Sequence, residues 1–269
     1  AIINISNPSN PQNQGNISGT NNMILENLDT HGNLLAVAAH EDGVLLYDIS
    51  NPTNPSYIST IDAENAWAVA VDEYHIYVAD GSTILDYFKN ENTGEYILLA
   101  SIELTNAIKD IVIGGGYLYA AIGSDGVVVI DIEVNVTPQI MDTYNTSALA
   151  NRLEIFENNK IAVSDWDDVE ILEFDIDSNS LDLVGYKNTT RRTMAIAAID
   201  NYIYSAEWAS VQVFEFGDIS GSDIDLSAYE LNYPYVENGT NFTMVVDVIN
   251  NGSSNLIISD NYTTNSEFI

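Results

Sequence analysis

Acidic side chains in short turn-like segments are the first residues of this sequence that could do chemistry. The densest group contains Asp165, Asp167 and Asp168. Carboxylates on a turn can bind Ca²⁺, a hard cation that takes six to eight oxygen ligands. Asp is also a residue that tight turns prefer for conformational reasons. The sequence therefore predicts Asp165, Asp167 and Asp168 as candidate calcium ligands, with turn formation alone as the other interpretation.

The few cations form a second group, because five of the seven Lys and Arg residues lie at the junctions of a repeating pattern. Trp67, Lys109, Arg152 and Arg192 are separated by 42, 43 and 40 residues. A structural repeat of this period would bring the four side chains to the mouth of one central channel. Aromatic rings and guanidinium groups there could bind an acidic or neutral sugar by stacking and bidentate hydrogen bonds. Alternatively, the cations pair with nearby carboxylates and hold neighbouring units together.

Sequence motifs for catalysis are absent. His31, His40 and His75 do not have the spacing of zinc ligands. The chain has no Cys, which excludes a Cys nucleophile or a Cys-ligated metal. It also lacks nucleotide-binding glycine loops and the Gly-X-Ser-X-Gly elbow. No catalytic residue is therefore predicted, although a carboxylate pair for glycosidic cleavage has no spacing signature that would reveal it.

The charge of the chain restricts its partners. Forty acidic residues against seven basic ones give a formal net charge of −33. Such a field repels nucleic acid and anionic membranes, and no apolar run within these residues is long enough to insert into a bilayer. We expect an extracellular or cell-surface location with a glycosylated exterior. Nine Asn-X-Ser/Thr acceptor patterns support this expectation, at Asn4, Asn16, Asn135, Asn145, Asn188, Asn238, Asn241, Asn251 and Asn261.

An internal repeat of about 42 residues organises these groups. The segment 4–11 is nearly duplicated at 48–55, 44 residues later, and Tyr77 and Tyr119 are 42 residues apart. Each unit contains four short apolar runs that are separated by Gly, Asn, Asp and Pro. Four strands per period of this length are typical of a β-propeller blade.

The repeat resembles a known family. A strand such as Tyr77-Val78-Ala79-Asp80, a Gly, a strand ending Asp48-Ile49-Ser50 and the turn Asn51-Pro52-Thr53-Asn54-Pro55 are similar to the LVIVD repeat. Units 21–62 and 106–146 match well; units 63–105, 147–190 and 191–220 match less well. The resemblance implies a propeller of the kind found in bacterial and archaeal surface proteins, and it implies no catalytic motif.

The predicted fold class is all-β. Residues 1–220 are expected to form a β-propeller of about six four-stranded blades, with five to six visible and the first one partial. Residues 221–269 resemble the start of a Hydin-type (ASH-like) immunoglobulin-like β-sandwich, through the segments 236–240, 248–253 and 256–258. A complete domain of this type needs about 100 residues, so we expect only its opening half.

These features predict a non-enzymatic extracellular protein with a structural or adhesive role. It would be a subunit of a surface layer, sheath or filament, and its partners would be further protein chains, by self-assembly, or surface glycans. One alternative is a carbohydrate- or ligand-binding propeller that uses the channel mouth. A second alternative is a propeller enzyme acting on polysaccharide. Ca²⁺ is the one cofactor that the acidic loops suggest.

Overall fold

The computed structural model describes residues 1–133, 138–157, 160–217, 224–226, 243, 245–250, 255 and 257–258. This part of the chain consists of strands and turns and contains no helix, which confirms the all-β prediction. Accordingly, none of its elements is a helix that could cross a bilayer.

The strands are short in the first three repeats and much longer in the fourth. They are β1 (Ile2–Asn4), β2 (Gln12–Gly15), β3 (Asn27–His31), β4 (Leu34–Ala38), β5 (Val44–Asp48), β6 (Ser56–Ile61), β7 (Ala66–Val71), β8 (His75–Asp80), β9 (Thr83–Lys89), β10 (Tyr96–Glu103), β11 (Asp110–Gly114), β12 (Tyr117–Ala121), β13 (Val127–Asp131), β14 (Gln139–Tyr144), β15 (Ala150–Phe156), β16 (Lys160–Asp175), β17 (Ser180–Ile199), β18 (Tyr202–Glu207), β19 (Val211–Glu215), β20 (Ile224–Leu226) and β21 (Val248–Asn250).

Three antiparallel sheets each contain four consecutive strands: β3–β6, β7–β10 and β11–β14. These are the predicted propeller blades. The turn between the second and third strands requires glycine in the first and third blades. Gly43 has φ +75° and Gly126 has φ +84°, and a Cβ atom there would collide with the carbonyl oxygens of Ile61 and Tyr144. The glycines that punctuate the sequence therefore mark real hairpin turns.

The fourth sheet has five strands in the order β15-β16-β17-β18-β19 and contains both remaining repeats. The second half of β16 pairs with the first half of β17, and the second half of β17 pairs with β18. Trp166 also pairs with Thr193, so the segment that begins the fifth repeat continues the fourth sheet. The propeller arrangement therefore has four blades, and the prediction of six was wrong.

Residues 1–20 contribute only the antiparallel pair β1–β2. The C-terminal segment is described by a second short pair, β20–β21, in which Ile224 lies opposite Asn250. The predicted domain boundary at 220 and the motif at 236–240 lie outside the described residues. The immunoglobulin-like domain at 221–269 is therefore not shown and stays a prediction.

The hydrophobic core lies between neighbouring blades. Ala36 and Ala38 of the first blade pack near Ala66 and Val69 of the second, and the same kind of interface joins the second blade to the third and the third to the fourth sheet. Because β4, β8 and β12, the second strands of the three blades, are covered on both faces, their sequences read as nearly continuous apolar runs. Their small side chains let the blades approach closely around the central axis.

Candidate functional site

A central cavity of about 610 Å³ opens between the innermost strands. Its lining comes from β3, β7, β11, β15 and the second half of β17. Acidic side chains join these strands. The Val71 N–H donates to Asp29 Oδ2 at 2.8 Å, and the Leu153 N–H donates to Asp110 Oδ2 at 2.9 Å. These carboxylates thus take part in holding one blade to the next.

Side chains cross the cavity at Asp110. Asn27 Nδ2, on the first blade, donates to Asp110 Oδ1, on the third, at 3.0 Å. Burial raises the pKa of Asp110 to about 6, although two backbone N–H donors and the Arg152 charge act in the opposite direction. The channel is therefore partly closed by a hydrogen-bonded bridge at this level.

Three of the four predicted ligand-binding residues lie together, and one of them, Arg152, lines the central cavity. The Lys109 ammonium is 5.1 Å from the ring centroid of Trp67, and the His40 ring meets Trp67 edge-on at 5.0 Å. The Arg152 guanidinium donates to the Lys109 carbonyl. Arg192 is exposed and instead stacks on Trp166 at 4.6 Å. No ion pair found among the described residues involves Lys109, Arg152 or Arg192, so within this part of the chain they contact aromatic rings and a carbonyl.

A separate acidic cluster surrounds the turn in β16. Asp165, Asp168 and Glu170 are 0%, 1% and 2% exposed, and they place carboxylate oxygens within 4.8 Å of one another. The linker before β15 covers them. Ser147 Oγ lies 3.0 Å from Asp165 Oδ2 and 2.8 Å from Asp168 Oδ2, so its single hydroxyl hydrogen is shared between these two carboxylates. The Ala148 N–H donates to Asp165 at 2.7 Å, and the Ser147 N–H donates to Glu170 at 3.0 Å.

Each of these three carboxylates keeps one oxygen without a partner. The unpartnered atoms are Asp165 Oδ1, Asp168 Oδ1 and Glu170 Oε2. Burial, reinforced by the neighbouring acids, raises the pKa of Asp168 to about 8 and that of Glu170 to about 7. The cluster therefore holds protons or accepts a cation.

The predicted ligands match this cluster only in part. Asp165 and Asp168 belong to it, whereas Asp167 is exposed and Glu170 is the third member. Glu170 lies two residues beyond Asp168 on the same strand, so both side chains project to one face. This period of two was the sequence signal that would have identified Glu170, while the role of Ser147 depends on a contact across 18 to 23 residues.

The predicted glycosylation sites divide into three groups. Asn4, Asn16 and Asn145 are exposed, and Asn188 is half-buried. The others lie outside the described residues, namely Asn135, Asn238, Asn241, Asn251 and Asn261. Glycosylation stays a prediction at all nine positions.

Comparison with protein families identifies the LVIVD repeat at residues 1–18, 26–63 and 107–146. No curated protein matches the chain. These segments cover the two units that resembled the repeat best, together with the N-terminal segment.

Solved structures share the fold at low sequence identity. A protein from Lactobacillus plantarum is 16% identical with a TM-score of 0.68, over 78% of this chain and 72% of that one. The computationally designed Ika8 protein is 16% identical with a TM-score of 0.55, over 71% of this chain and 58% of Ika8. A chain of the nidogen/laminin complex is 14% identical with a TM-score of 0.53, over 72% of this chain and 76% of that one. With the repeat matches and the blade topology, these similarities establish the chain as a propeller-type repeat protein that contains LVIVD repeats.

Proposed function

We propose that the chain is a non-enzymatic module of an extracellular surface protein with a structural or adhesive role. Its propeller acts as a rigid body that binds other chains in a layer, sheath or filament. The acidic composition supports a surface location, because a net charge of −33 disfavours binding to nucleic acid and anionic membranes.

The outer rim of the blades carries this proposal. Strands β6, β10 and β14 are edge strands of their sheets, and large apolar side chains there and in the first half of β17 are 41% to 56% exposed. These side chains are Tyr57, Ile58, Ile97, Leu98, Leu99, Ile140, Leu183 and Val184. An edge strand with free backbone groups and exposed apolar side chains is a template for pairing with another chain. The rim thus offers a similar binding edge on successive blades.

A non-enzymatic role is supported by the burial of the acidic cluster. Asp165, Asp168 and Glu170 are at most 2% exposed, so a polysaccharide cannot contact their carboxylates in this conformation. A glycosidase needs two carboxyl groups that flank an accessible bond.

Analytical ultracentrifugation and electron microscopy of the purified chain test the assembly role. We expect concentration-dependent association that the rim variant I58T/L98T/I140T abolishes. The matched control I24T changes an exposed isoleucine away from the rim and should leave association unchanged. A wild-type chain that stays monomeric at high concentration, and appears only as single particles, would contradict self-assembly.

Binding of a sugar at the channel mouth is the second candidate, and the contact between Lys109 and Trp67 favours it. A ring beside a cation is a surface on which an acidic or neutral sugar can stack. We expect W67A to abolish binding in a glycan titration, while W208A, which changes an exposed tryptophan in the turn between β18 and β19, preserves it. Equal binding by both variants would exclude the channel mouth.

A further inference from the structure

We propose that Asp165, Asp168 and Glu170 form a buried calcium site, which the Ser147–Ala148 segment closes. This site lies within one sheet and its linker, and it is independent of the rim and of the channel mouth. Its ligand is the bare Ca²⁺ ion, and its effect is to hold the linker before β15 against the turn of β16.

The first argument is the way in which the six carboxylate oxygens are used. Protein donors from Ser147 and Ala148 hold one oxygen of each acid. The other oxygen of each acid is buried and has no hydrogen-bond partner. Buried polar atoms normally have a partner, and an exception calls for an ion or another explanation. The three acids that carry these oxygens each place a carboxylate oxygen within 4.8 Å of the other two, and such a set of carboxylates is what a hard cation binds.

The second argument comes from the equivalent hairpin of the second repeat. Asp80, the last residue of β8, is equivalent to Asp165, which immediately precedes the turn in β16. Asp80 accepts hydrogen bonds from the N–H groups of Glu64 and Asn65 in the preceding linker. The positions of Asp168 and Glu170 are there occupied by Thr83 and Leu85. One carboxylate is therefore sufficient to fasten the linker, and the two further acids of the fourth repeat serve another purpose.

The third argument is the cost of the charges. Burying an ionised carboxylate without a compensating charge is strongly unfavourable, and no ion pair found in the described part of the chain includes these three residues. A divalent cation compensates two of the three negative charges. The buried Thr146 hydroxyl, next to Ser147, also lacks a partner and adds a neutral oxygen close in sequence.

Calcium fits this arrangement better than magnesium. Ca–O bonds of about 2.3–2.6 Å let oxygens up to 4.8 Å apart share one ion, whereas Mg²⁺ demands near-ideal octahedral geometry at about 2.0–2.1 Å and retains several waters. A dry cluster with irregularly placed oxygens therefore favours Ca²⁺.

The test is calorimetric titration of CaCl₂ into chelator-treated protein, combined with thermal unfolding. We expect one saturable site and a Tm increase of about 5–10 °C at a hundredfold excess over Kd. D168T/E170L, which installs the residues of the second repeat, should lower the affinity at least about 100-fold. E170Q, which preserves the shape, should also weaken binding.

The matched control is D167S, because Asp167 is exposed and Ser82 occupies its place in the second repeat. It should bind Ca²⁺ as the wild type does. An absence of saturable heat up to about 5 mM Ca²⁺, above the range of extracellular calcium modules, would overturn the proposal. Undiminished binding by D168T/E170L would overturn it too, and equal affinity for Mg²⁺ would overturn the choice of calcium.

Discussion

The hairpins of the second and fourth repeats fasten their linkers in the same way but with different chemistry. In the second repeat, both oxygens of Asp80 accept backbone N–H groups. In the fourth repeat, three acids share the donors of Ser147 and Ala148, and each retains an unpartnered oxygen. A carboxylate whose oxygens are all satisfied fastens a turn, whereas carboxylates with free buried oxygens create a demand for a proton or a cation. The two hairpins therefore differ mainly in how deeply their carboxylates are buried and in whether every carboxylate oxygen has a hydrogen-bond partner.

The largest effect should appear in the pH dependence of the free energy of unfolding when Ca²⁺ is absent. The pKa of Asp168 is raised to about 8 and that of Glu170 to about 7, so the folded state keeps protons that the unfolded chain releases near pH 4. Stability should therefore fall as pH rises from about 4 to about 8, by several kcal/mol in total. D168T/E170L should lose this slope.

The measurement is urea unfolding of both proteins in chelator at a series of pH values. The difference between them cancels the background from the remaining acidic residues. Parallel curves for the two proteins would show that this cluster does not carry the pH dependence.

Introducing two acids into the hairpin of the second repeat should give it the unpartnered carboxylates of the fourth repeat. T83D/L85E places two carboxylates in the second hairpin, where Leu85 is half-buried and packs against the core between the first two blades. The N–H groups of Glu64 and Asn65 already donate to Asp80, and burying further carboxylates without partners is unfavourable. The free energy of unfolding in chelator should therefore fall by about 3 kcal/mol. Urea unfolding measures the change. S82D, at the position of the exposed Asp167, should change it by less than about 0.5 kcal/mol, and an equal loss in both variants would contradict the argument.

Removing the simple cap should have a moderate effect. D80A deletes the acceptor of two backbone N–H groups, and each such hydrogen bond contributes about 0.5–1.5 kcal/mol. We therefore expect a loss of about 2 kcal/mol in urea unfolding. D62A removes the same charge from an exposed position in the preceding linker and serves as the control. If D62A lowers the free energy of unfolding as much as D80A does, the loss comes from removing a negative charge and not from removing the acceptor of two hydrogen bonds.

The smallest effect is expected at the turn itself. Gly81 has φ 64° and Trp166, at the equivalent position, has φ 54°. W166G relieves a left-handed backbone that costs a non-glycine residue about 1–2 kcal/mol, but it removes the stacking of Arg192, worth about 0.5–1 kcal/mol. The net change in the free energy of unfolding should lie within about 1 kcal/mol. A larger loss would mean that the Arg192–Trp166 contact does more than an exposed cation–π pair.

Local sequence was sufficient for most of the strands and for two of the three members of the acidic cluster. The apolar runs around Leu34–Ala38 and Tyr117–Ala121 form strands as predicted, because both are buried on two faces. Asp165 and Asp168 stand out because they crowd one turn. Glu170 was missed, because a single Glu between Val169 and Ile171 resembles the exposed position of an ordinary alternating strand.

The sequence alone determined the repeat length, the four strands of the first three blades and the all-β class, because these depend on local periodicity and on turn residues that act within a few positions. Only the tertiary structure decided how many blades form, since the fifth repeat joins the fourth sheet through the pairing of Trp166 with Thr193. It also decided which acids lose contact with water. Burial and unpartnered oxygens arise where the linker residues Ser147 and Ala148 fold over β16, and such contacts between distant segments leave no local pattern in the chain.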